Sequence, residues 1–310
     1  MMKRRFIVIV GPTASGKTRV AAGLAKALGS CVISADSMQI YRGMDIGTAK
    51  ATEEEKQGVP HYMIDIVAPD EPYTAANYQK AAFELIERVN AKGLVPVVAG
   101  GTGLYIHSLV YDIDFTQTPG NDKIRQKYLR QADDKSLDAL YNYLKEIDPS
   151  YASIIAPTDK KRIIRRLEVL ECGGGQAYDF RRVNQKDDFL IFGLRMPRET
   201  LYERINARVD QMLADGLVEE ARELYNRYGW TNALQAIGYK EIFEFFENKI
   251  TLDEAVRLIK RNTRRYAKRQ MTWFKRDERI IWIDITPVSC IACIENIIND
   301  IIKIINEKGF

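Results

Sequence analysis

The chain has 310 residues, with 46 lysines and arginines against 42 aspartates and glutamates, which gives a formal net charge of +4. Apolar residues make up 46% and charged residues 28%, and this composition excludes a disordered chain, a fibre and a disulfide-stapled miniprotein. The length predicts roughly two domains. One CxxC pair, Cys290 and Cys293, has no second pair of zinc ligands beside it, so we interpret it as two half-buried thiols on a helix.

Buried strands and helices alternate along the first 116 residues. Continuous apolar runs predict strands at Phe6–Val10, Cys31–Ser34 and Leu94–Ala99. Helical spacing of apolar residues predicts helices at Thr18–Leu28 and Tyr78–Asn90. This alternation predicts a doubly wound α/β core, a parallel sheet with helices on both faces. The phosphate loop described below makes it a sheet of the P-loop NTPase type.

The pattern changes after residue 116. Apolar residues then follow helical periods without a convincing strand, which predicts an all-helical insertion. The core resumes with a strand at Phe189–Leu194, helices from Thr200 to about Trp273, a strand at Ile280–Ile285 and a final helix. These assignments predict a catalytic core of residues 1–116 and 189–310 and a helical insertion domain of residues 117–188.

No apolar segment is suited to a membrane. Phe6–Val10 stops after five residues at Gly11-Pro12, whereas a secretory apolar region needs about 7–15. Polar residues interrupt the isoleucine-rich stretch from Ile291 to Ile305. We therefore expect a soluble, cytoplasmic protein without a membrane partner, and we expect a monomer.

A complete phosphate-binding loop follows the first predicted strand and opens the first predicted helix. Glycines allow backbone N–H groups to turn around a phosphate chain, and the helix N-terminus adds positive potential. The lysine would bridge phosphate oxygens, and the final threonine hydroxyl could ligate Mg²⁺. The motif G-x-x-x-x-G-K-[ST] consists of Gly11, Pro12, Thr13, Ala14, Ser15, Gly16, Lys17 and Thr18.

Two further segments end strands beside this loop. Asp36 follows the second predicted strand, where an open parallel sheet places its ligands. It could hold Mg²⁺ through water or act as a general base. The third predicted strand ends in Gly100-Gly101-Thr102 and carries no carboxylate, a composition that lets a ligand approach the backbone closely.

One predicted helix concentrates positive charge. A solvent-exposed helix normally carries both acidic and basic residues, which form ion pairs one turn apart. A helix face that carries only positive charge therefore predicts a binding surface for a polyanion, with RNA or DNA phosphates the obvious partner. Between positions 257 and 276 there is no acidic residue, and the basic residues are Arg257, Lys260, Arg261, Arg264, Arg265, Lys268, Arg269, Lys275 and Arg276. A second basic cluster begins at Lys160 and runs to Arg182.

Several of these segments together resemble one family, the bacterial tRNA dimethylallyltransferases or tRNA isopentenylpyrophosphate transferases. The resemblance spans nearly the whole chain and is weakest in the insertion, where only Asp159 through Glu168 is similar. The segments that carry it are GPTASGKT, the stretch Ser34 to Lys50, AGGTGLY, Gly238-Tyr239 and the block Lys268 to Phe274.

The resemblance implies transfer of a dimethylallyl group from dimethylallyl diphosphate to N6 of the adenosine 3′-adjacent to the anticodon of tRNA. It implies that Asp36 is the general base and that Thr102 orients the reacting amine. Lys17, the phosphate loop and Mg²⁺ on Thr18 would hold the diphosphate, with Arg208 as a further contact.

The same resemblance implies a surface for the anticodon stem-loop, with the target base extruded from its stack. Tyr239 and Trp273 are candidate stacking platforms, although ordinary packing is favoured for Trp273. The predicted RNA-binding residues are Asp36, Ser37, Met38, Gln39, Thr102, Arg125, Lys160, Lys161, Arg162, Ile163, Ile164, Gly238, Tyr239, Lys240, Arg264, Arg265, Lys268, Arg269 and Gln270.

Three alternatives share the phosphate loop. A P-loop nucleotide or small-molecule kinase would transfer a phosphoryl group from ATP, but the one-sign basic helix would then have no role. An isopentenyltransferase for free adenine nucleotides would need no large basic surface. A non-catalytic RNA-binding NTPase module would bind ATP without transferring a prenyl group.

Overall fold

The computed structural model describes residues 3–115, 120–134, 136–174, 182–285 and 291–310. Its strands are β1 (Arg5–Val10), β2 (Val32–Ser34), β3 (His61–Tyr62), β4 (Val97–Ala99), β5 (Asp188–Arg195) and β6 (Ile281–Asp284). They form one parallel sheet in the order β3-β2-β4-β1-β5-β6. The chain divides into two compact units, Met1–Val110 with Gln185–Phe310, and Tyr111–Asn184.

The helices account for most of the remaining described residues. The first unit begins with α1 (Lys17–Ala27), α2 (Glu53–Lys56), α3 (Ala75–Asn90) and α4 (Gly103–Val110). The second unit contains α5 (Asp122–Asp134), α6 (Leu137–Ile147), α7 (Pro149–Ala152) and α8 (Lys160–Glu171). The first unit resumes with α9 (Arg198–Ala214), α10 (Leu217–Tyr228), α11 (Tyr239–Phe246), α12 (Leu252–Phe274) and α13 (Ile291–Glu307).

Burial of β1 on both faces explains its continuous apolar sequence. Each residue from Phe6 to Val10 is at most 1% exposed, as expected for a central parallel strand covered by helices. Helices α1 and α13 pack over one part of this core, where Leu24 and Ile301 are fully buried. A Cβ at Gly23 would lie 2.4 Å from the Ile298 side chain, so the close approach of α1 and α13 requires glycine there.

Three neighbouring strands end at the same edge of the sheet. Strand β1 leads into the phosphate loop, β2 leads to Asp36, and β4 leads to Gly100 and Gly101. Since β4 lies between β1 and β2, the ends of all three are brought together. The predicted phosphate site and the predicted base therefore share this edge.

Helices α9 to α12 build a second core beside the sheet. Its fully buried members include Met44, Tyr239, Phe243 and Ile259. The segment after β2 contributes Ile40 and Met44 to it, so the loop that follows Asp36 is anchored among these helices.

The second unit is a small helical bundle with its own core, in which Leu144, Ile163 and Leu167 are fully buried. Arg166 donates to Asp148 Oδ2 at 2.6 Å within this bundle, and both residues are buried. The sequence-based limits of 117–188 and the RNA-binding role assigned to them stay predictions.

The predicted fold class is confirmed: a parallel α/β sheet with helices on both faces and a helical unit inserted into the chain. Strand β3 was not predicted, because two residues are too few to show a periodic pattern. The prediction for the Cys290 and Cys293 side chains lies outside the described residues. None of the helices that the structure describes is long and apolar enough to cross a membrane.

Candidate active site

The phosphate loop has the backbone form that a phosphate cradle requires. Gly16 adopts a φ of 90° at the N-cap of α1, and Ala14 has a φ of 62°. At Gly11, with φ 147°, an added Cβ would lie 2.7 Å from the Leu194 carbonyl oxygen of β5. The tight packing and left-handed turns hold the loop against the sheet at the start of a helix, where backbone N–H groups are free of intrahelical partners.

Lys17 folds back over the loop, where its Nζ donates to the Pro12 carbonyl at 2.7 Å. Burial lowers the pKa of its ammonium to about 7; the Asp36 carboxylate opposes this shift, and Arg208 adds to it. A buried cation with a depressed pKa gains from an anionic partner, so the Lys17 ammonium is suited to donate hydrogen bonds to phosphate oxygens.

Asp36 lies near Lys17 at the end of β2, where its Oδ1 accepts from the Met38 N–H at 2.9 Å. Burial raises the pKa of its carboxyl, while the Met38 N–H and the Lys17 charge act in the opposite direction. A carboxylate that is harder to ionise than an ordinary aspartate is a stronger proton acceptor.

Thr102 is tied to the Asp36 segment from the neighbouring strand. Its Oγ1 accepts from the Ser37 N–H at 2.9 Å and donates to Ser37 Oγ at 3.2 Å, and its own N–H donates to the Ala35 carbonyl at 3.1 Å. A Cβ at Gly100 would lie 2.2 Å from the Ala35 carbonyl oxygen, so the two segments approach to backbone contact. Thr102 is therefore fixed directly beside the segment that carries Asp36.

Helix α9 supplies two arginines to the same site. Arg204 and Arg208, one turn apart, line a cavity of about 240 Å³ together with Lys17, Asp36 and the phosphate loop. Burial lowers the pKa of the Arg208 guanidinium, Glu55 opposes this, and Arg204 and Arg19 reinforce it. Clustered cations around one cavity favour a polyvalent anion.

A second, more apolar cavity of about 400 Å³ adjoins the first. Asp36, Arg208 and Tyr266 line both cavities. The apolar part of the lining consists of Met38, Ile205, Val209, Met212, Ile237 and Ile259. The combined site suits a ligand with an anionic head and an apolar group, placed beside a carboxylate.

The donor set of the smaller cavity is compatible with Mg²⁺. The Thr18 hydroxyl and the carboxylates of Asp36 and Glu55 face it, and Mg²⁺ binds oxygen ligands, commonly one or two from protein with the remainder from phosphates and water. Within the described ranges, no group of three or more His, Cys, Asp or Glu residues forms a metal-binding cluster of protein ligands alone.

Glu220 on α10 anchors the loop that forms one wall of both cavities. Its carboxylate accepts from the backbone N–H groups of Asp45 (3.0 Å), Ile46 (2.8 Å) and Gly47 (3.0 Å). The next residues of that loop, Thr48 and Ala49, line both cavities. The loop wall is thus held by one acidic side chain.

Three predicted RNA contacts have side chains in the core instead, and this corrects the side-chain contacts assigned to them. Tyr239 is fully buried and its hydroxyl donates to Glu220 Oε1 at 2.7 Å, so its ring is not a stacking platform. Gly238 is buried beside it but lines the second cavity, so its contact stays a prediction. Ile163 and Ile164 are core residues of the helical unit, because they lie on the apolar face of α8.

Gln270 is also buried, and it contacts backbone groups of the site. Trp273 is half-buried; its Nε1 donates to His107 Nε2 at 3.0 Å, which agrees with the packing role favoured for it. Burial lowers the pKa of His107 to about 4, so this nitrogen accepts as a neutral imidazole at neutral pH.

The outer face of α12 remains basic, but part of its charge is paired with other groups. Arg257 pairs with Glu254 at 2.5 Å and Lys260 with Asp210 of α9 at 2.5 Å. Arg264 donates to Asn206 at 2.6 Å. Three basic residues in the second half of this helix are exposed: Arg265, Lys268 and Arg269.

In the helical unit, Lys161 and Arg162 are exposed at the start of α8. Lys160 pairs with Asp133 at 2.5 Å, and Arg125 pairs with Glu168 at 3.2 Å. These residues remain predicted RNA contacts, with Lys161 and Arg162 the accessible members of the α8 set. Of the other predicted site residues, Ser37, Met38, Gln39 and Lys240 line the cavities of the first unit.

Sequence reasoning missed Arg204, Tyr266 and Glu55 as lining residues. A signal existed for two of them: Arg204 lies four residues before Arg208 and Tyr266 four before Gln270, so each pair shares a helix face. The sequence held no comparable signal for Glu55, because its helix α2 has only four residues and shows no periodic pattern.

A parallel sheet with a G-x-x-x-x-G-K-[ST] loop after its central strand defines an α/β enzyme of the P-loop class. Comparison with known proteins narrows this class. The family model described as IPP transferase matches residues 39–277. A curated tRNA dimethylallyltransferase of Alkaliphilus oremlandii is 48% identical over 305 residues, covering 96% of this chain and 97% of the relative.

Comparison with solved structures points to the same kind of enzyme. A tRNA isopentenylpyrophosphate transferase from Bacillus halodurans matches with a TM-score of 0.74 and 41% identity, covering 99% of this chain and 98% of that one. A eukaryotic dimethylallyltransferase acting on tRNA matches with a TM-score of 0.77 and 30% identity, covering 92% of this chain and 75% of that one. The chain belongs to the IPP transferase family and is a transferase.

Proposed function

We propose that this chain transfers the dimethylallyl group of dimethylallyl diphosphate to N6 of the adenosine 3′-adjacent to the anticodon in tRNA, releasing diphosphate. The observation that carries the proposal is the pair of adjoining cavities, one cationic and one apolar, with Asp36 in the lining of both. Such a pair matches an allylic diphosphate and places a proton acceptor beside the reacting group.

The diphosphate would bind the phosphate loop, Lys17 and Arg208 in the cavity that Arg204 also lines. As the bond between the allylic carbon and the diphosphate oxygen breaks, negative charge grows on the leaving group. Cations already oriented around the cavity stabilise this charge without reorganising during the reaction. The Lys17 ammonium, whose pKa is about 7 in the free protein, is held in its charged form by the bound anion.

Asp36 would accept the N6 proton while the new carbon–nitrogen bond forms. An adenine exocyclic amine is a weak nucleophile because its lone pair is delocalised into the ring, so removing its proton during attack lowers the barrier. The raised pKa of Asp36 suits this role, and general-base assistance typically contributes about 10²–10⁴-fold. The Thr102 hydroxyl, held by Ser37, would orient the amine.

Mg²⁺ would be held by the Thr18 hydroxyl together with diphosphate oxygens, near Asp36. When bound, it neutralises part of the leaving-group charge. The residues of the chain orient the diphosphate head and keep the carboxylate on the acceptor side.

Exposed basic residues would bind the phosphates of the tRNA partner. They are Arg265, Lys268 and Arg269 on α12 in the first unit, and Lys161 and Arg162 on α8 in the second. Contacts to phosphates would offset the few kcal/mol needed to extrude the target base. We propose that the enzyme acts as a monomer in the cytoplasm, where unmodified tRNA is available.

The proposal is tested with radiolabelled dimethylallyl diphosphate, Mg²⁺ and unmodified tRNA, with AMP and ATP as parallel acceptors. Label should enter tRNA alone, and Asp36→Asn should lower turnover at least about 10²-fold while tRNA binding is kept. Transfer to AMP would favour an enzyme for free nucleotides. Turnover of ATP without label transfer would favour a kinase and overturn the proposal.

A further inference from the structure

The side chain of Gln270 is a buried amide in the middle of the site. It lies near the carboxyl end of α12, the helix whose outer face carries the exposed basic residues, yet it is only 5% exposed. Burying a primary amide is costly unless its polar atoms are hydrogen-bonded. Its contacts therefore indicate why an amide is placed there.

The oxygen and the nitrogen of this amide are each hydrogen-bonded to a backbone group. One group belongs to the proposed donor half of the site and the other to the proposed acceptor half. Oε1 accepts from the Thr13 N–H of the phosphate loop at 2.8 Å, and Nε2 donates to the Gly101 carbonyl at 3.0 Å. Thr13 belongs to the loop proposed to hold the diphosphate. Gly101 directly precedes Thr102, which hydrogen-bonds the segment of Asp36.

The two hydrogen bonds of the Gln270 amide form a bridge between the Thr13 and Gly101 segments, and this bridge lies beyond the last hydrogen bond between the neighbouring strands. Strands β1 and β4 are parallel neighbours, and Gly100 N–H still donates to the Ile9 carbonyl at 3.2 Å. Gly101 is the next residue after this bond, where the chain enters the Thr102 turn, and Thr13 lies three residues beyond the end of β1, in the phosphate loop. There the Gln270 amide joins the two segments.

Gly101 is shaped to receive this amide. A Cβ at that position would lie 2.1 Å from Gln270 Nε2 and 3.3 Å from its Cδ. Glycine is thus required for the contact itself, and the φ of Gly101 is not in the left-handed region.

We propose that Gln270 is a positioning residue that sets the distance between the diphosphate-binding loop and the acceptor-orienting Thr102 segment. The inference rests on the proposed function, since it concerns how the donor and acceptor halves of that reaction are held. Without the bridge each half still binds its substrate, but the reacting atoms no longer meet in the productive geometry. A misplacement of about 1 Å can cost on the order of 10²-fold in rate.

The test compares Gln270→Met and Gly101→Ala with the wild-type protein in steady-state prenylation of tRNA. Methionine has a similar shape and lacks both hydrogen-bonding atoms of the amide. Alanine at position 101 displaces the amide from the other side and clashes mainly with a movable side-chain end, so folding should survive even if Gln270→Met is unstable. Gln79→Met is the matched control, since Gln79 also donates to a backbone carbonyl, that of Ser108 at 2.7 Å, away from the cavities.

Both site variants should lower kcat about 10–10²-fold, while KM for dimethylallyl diphosphate and for tRNA stays within about threefold of wild type. Gln79→Met should keep the wild-type kcat. The inference is overturned if both site variants keep the wild-type kcat, or if KM for tRNA rises at constant kcat, which would make Gln270 an RNA contact. A wild-type protein that transfers no prenyl group would instead refute the proposed function.

Discussion

The Tyr239 hydroxyl donates a 2.7 Å hydrogen bond to Oε1 of Glu220, the same oxygen that accepts from the Gly47 N–H. A Cβ at Gly47 would lie 2.5 Å from the Tyr239 ring, so ring and loop are in close contact. One side chain on α11 and one on α10 thus hold the loop whose next residues line both cavities.

Tyr239→Phe should therefore destabilise the protein without affecting RNA stacking. It removes one donor from a half-buried carboxylate and keeps the ring in place, so we expect a loss of about 1–2 kcal/mol in the free energy of unfolding. Chemical denaturation measures this loss, and a filter-binding titration should give an unchanged tRNA Kd. A large rise in that Kd at unchanged stability would restore Tyr239 as an RNA contact.

Binding of diphosphate should be accompanied by proton uptake at Lys17. Its pKa of about 7 leaves the free lysine largely neutral at pH 8, and the bound anion favours the ammonium. Calorimetry with inorganic diphosphate at pH 8, in two buffers of different ionisation enthalpy, should give greater proton uptake for the wild type than for Lys17→Arg, whose guanidinium is always charged. Equal uptake in the two proteins would contradict a depressed lysine pKa.

The acid limb of the pH–rate profile should report Asp36. A free aspartate has a pKa of about 3.9, and burial raises that of Asp36. The base is active when ionised, so kcat/KM should be full above the raised pKa and fall as the pH drops through it. We expect the midpoint above that of a free aspartate, and no such limb in the residual activity of Asp36→Asn. A midpoint at the ordinary aspartate value would argue against the burial effect.

Exposed charge on α12 should set the salt dependence of RNA binding. The double variant Arg265→Gln with Lys268→Gln should weaken binding and reduce the slope of log K against log salt by about one for each phosphate that the protein no longer neutralises. Arg257→Gln is the control, because its guanidinium is already paired with Glu254. Equal slopes for the wild type and the double variant would mean that this face binds something other than phosphate.

The pattern of the chain predicted the sheet and the phosphate site because both depend on local regularities. A buried parallel strand such as β1 is apolar at every position, and a phosphate loop needs glycines and lysine at set spacings whatever surrounds it. The position of Asp36 after β2 could be predicted for the same reason, since parallel strands end at one edge of the sheet.

Contacts between distant segments could not be predicted in this way. Gln270 is bonded to Thr13, 257 positions away, and nothing in its own segment distinguishes an inward amide from a surface one. Ile163 and Ile164 stand among basic residues but lie on the buried face of α8.

By itself, the sequence determined the fold class, the phosphate loop and the carboxylate beside it, because these follow from spacing and strand order. Only the tertiary structure decided which polar and aromatic side chains face the cavities and which, like Tyr239 and Gln270, are used inside to hold the walls together. The reason is physical: a buried polar group must find a hydrogen-bonding partner, and the folded chain supplies that partner from segments far apart in sequence.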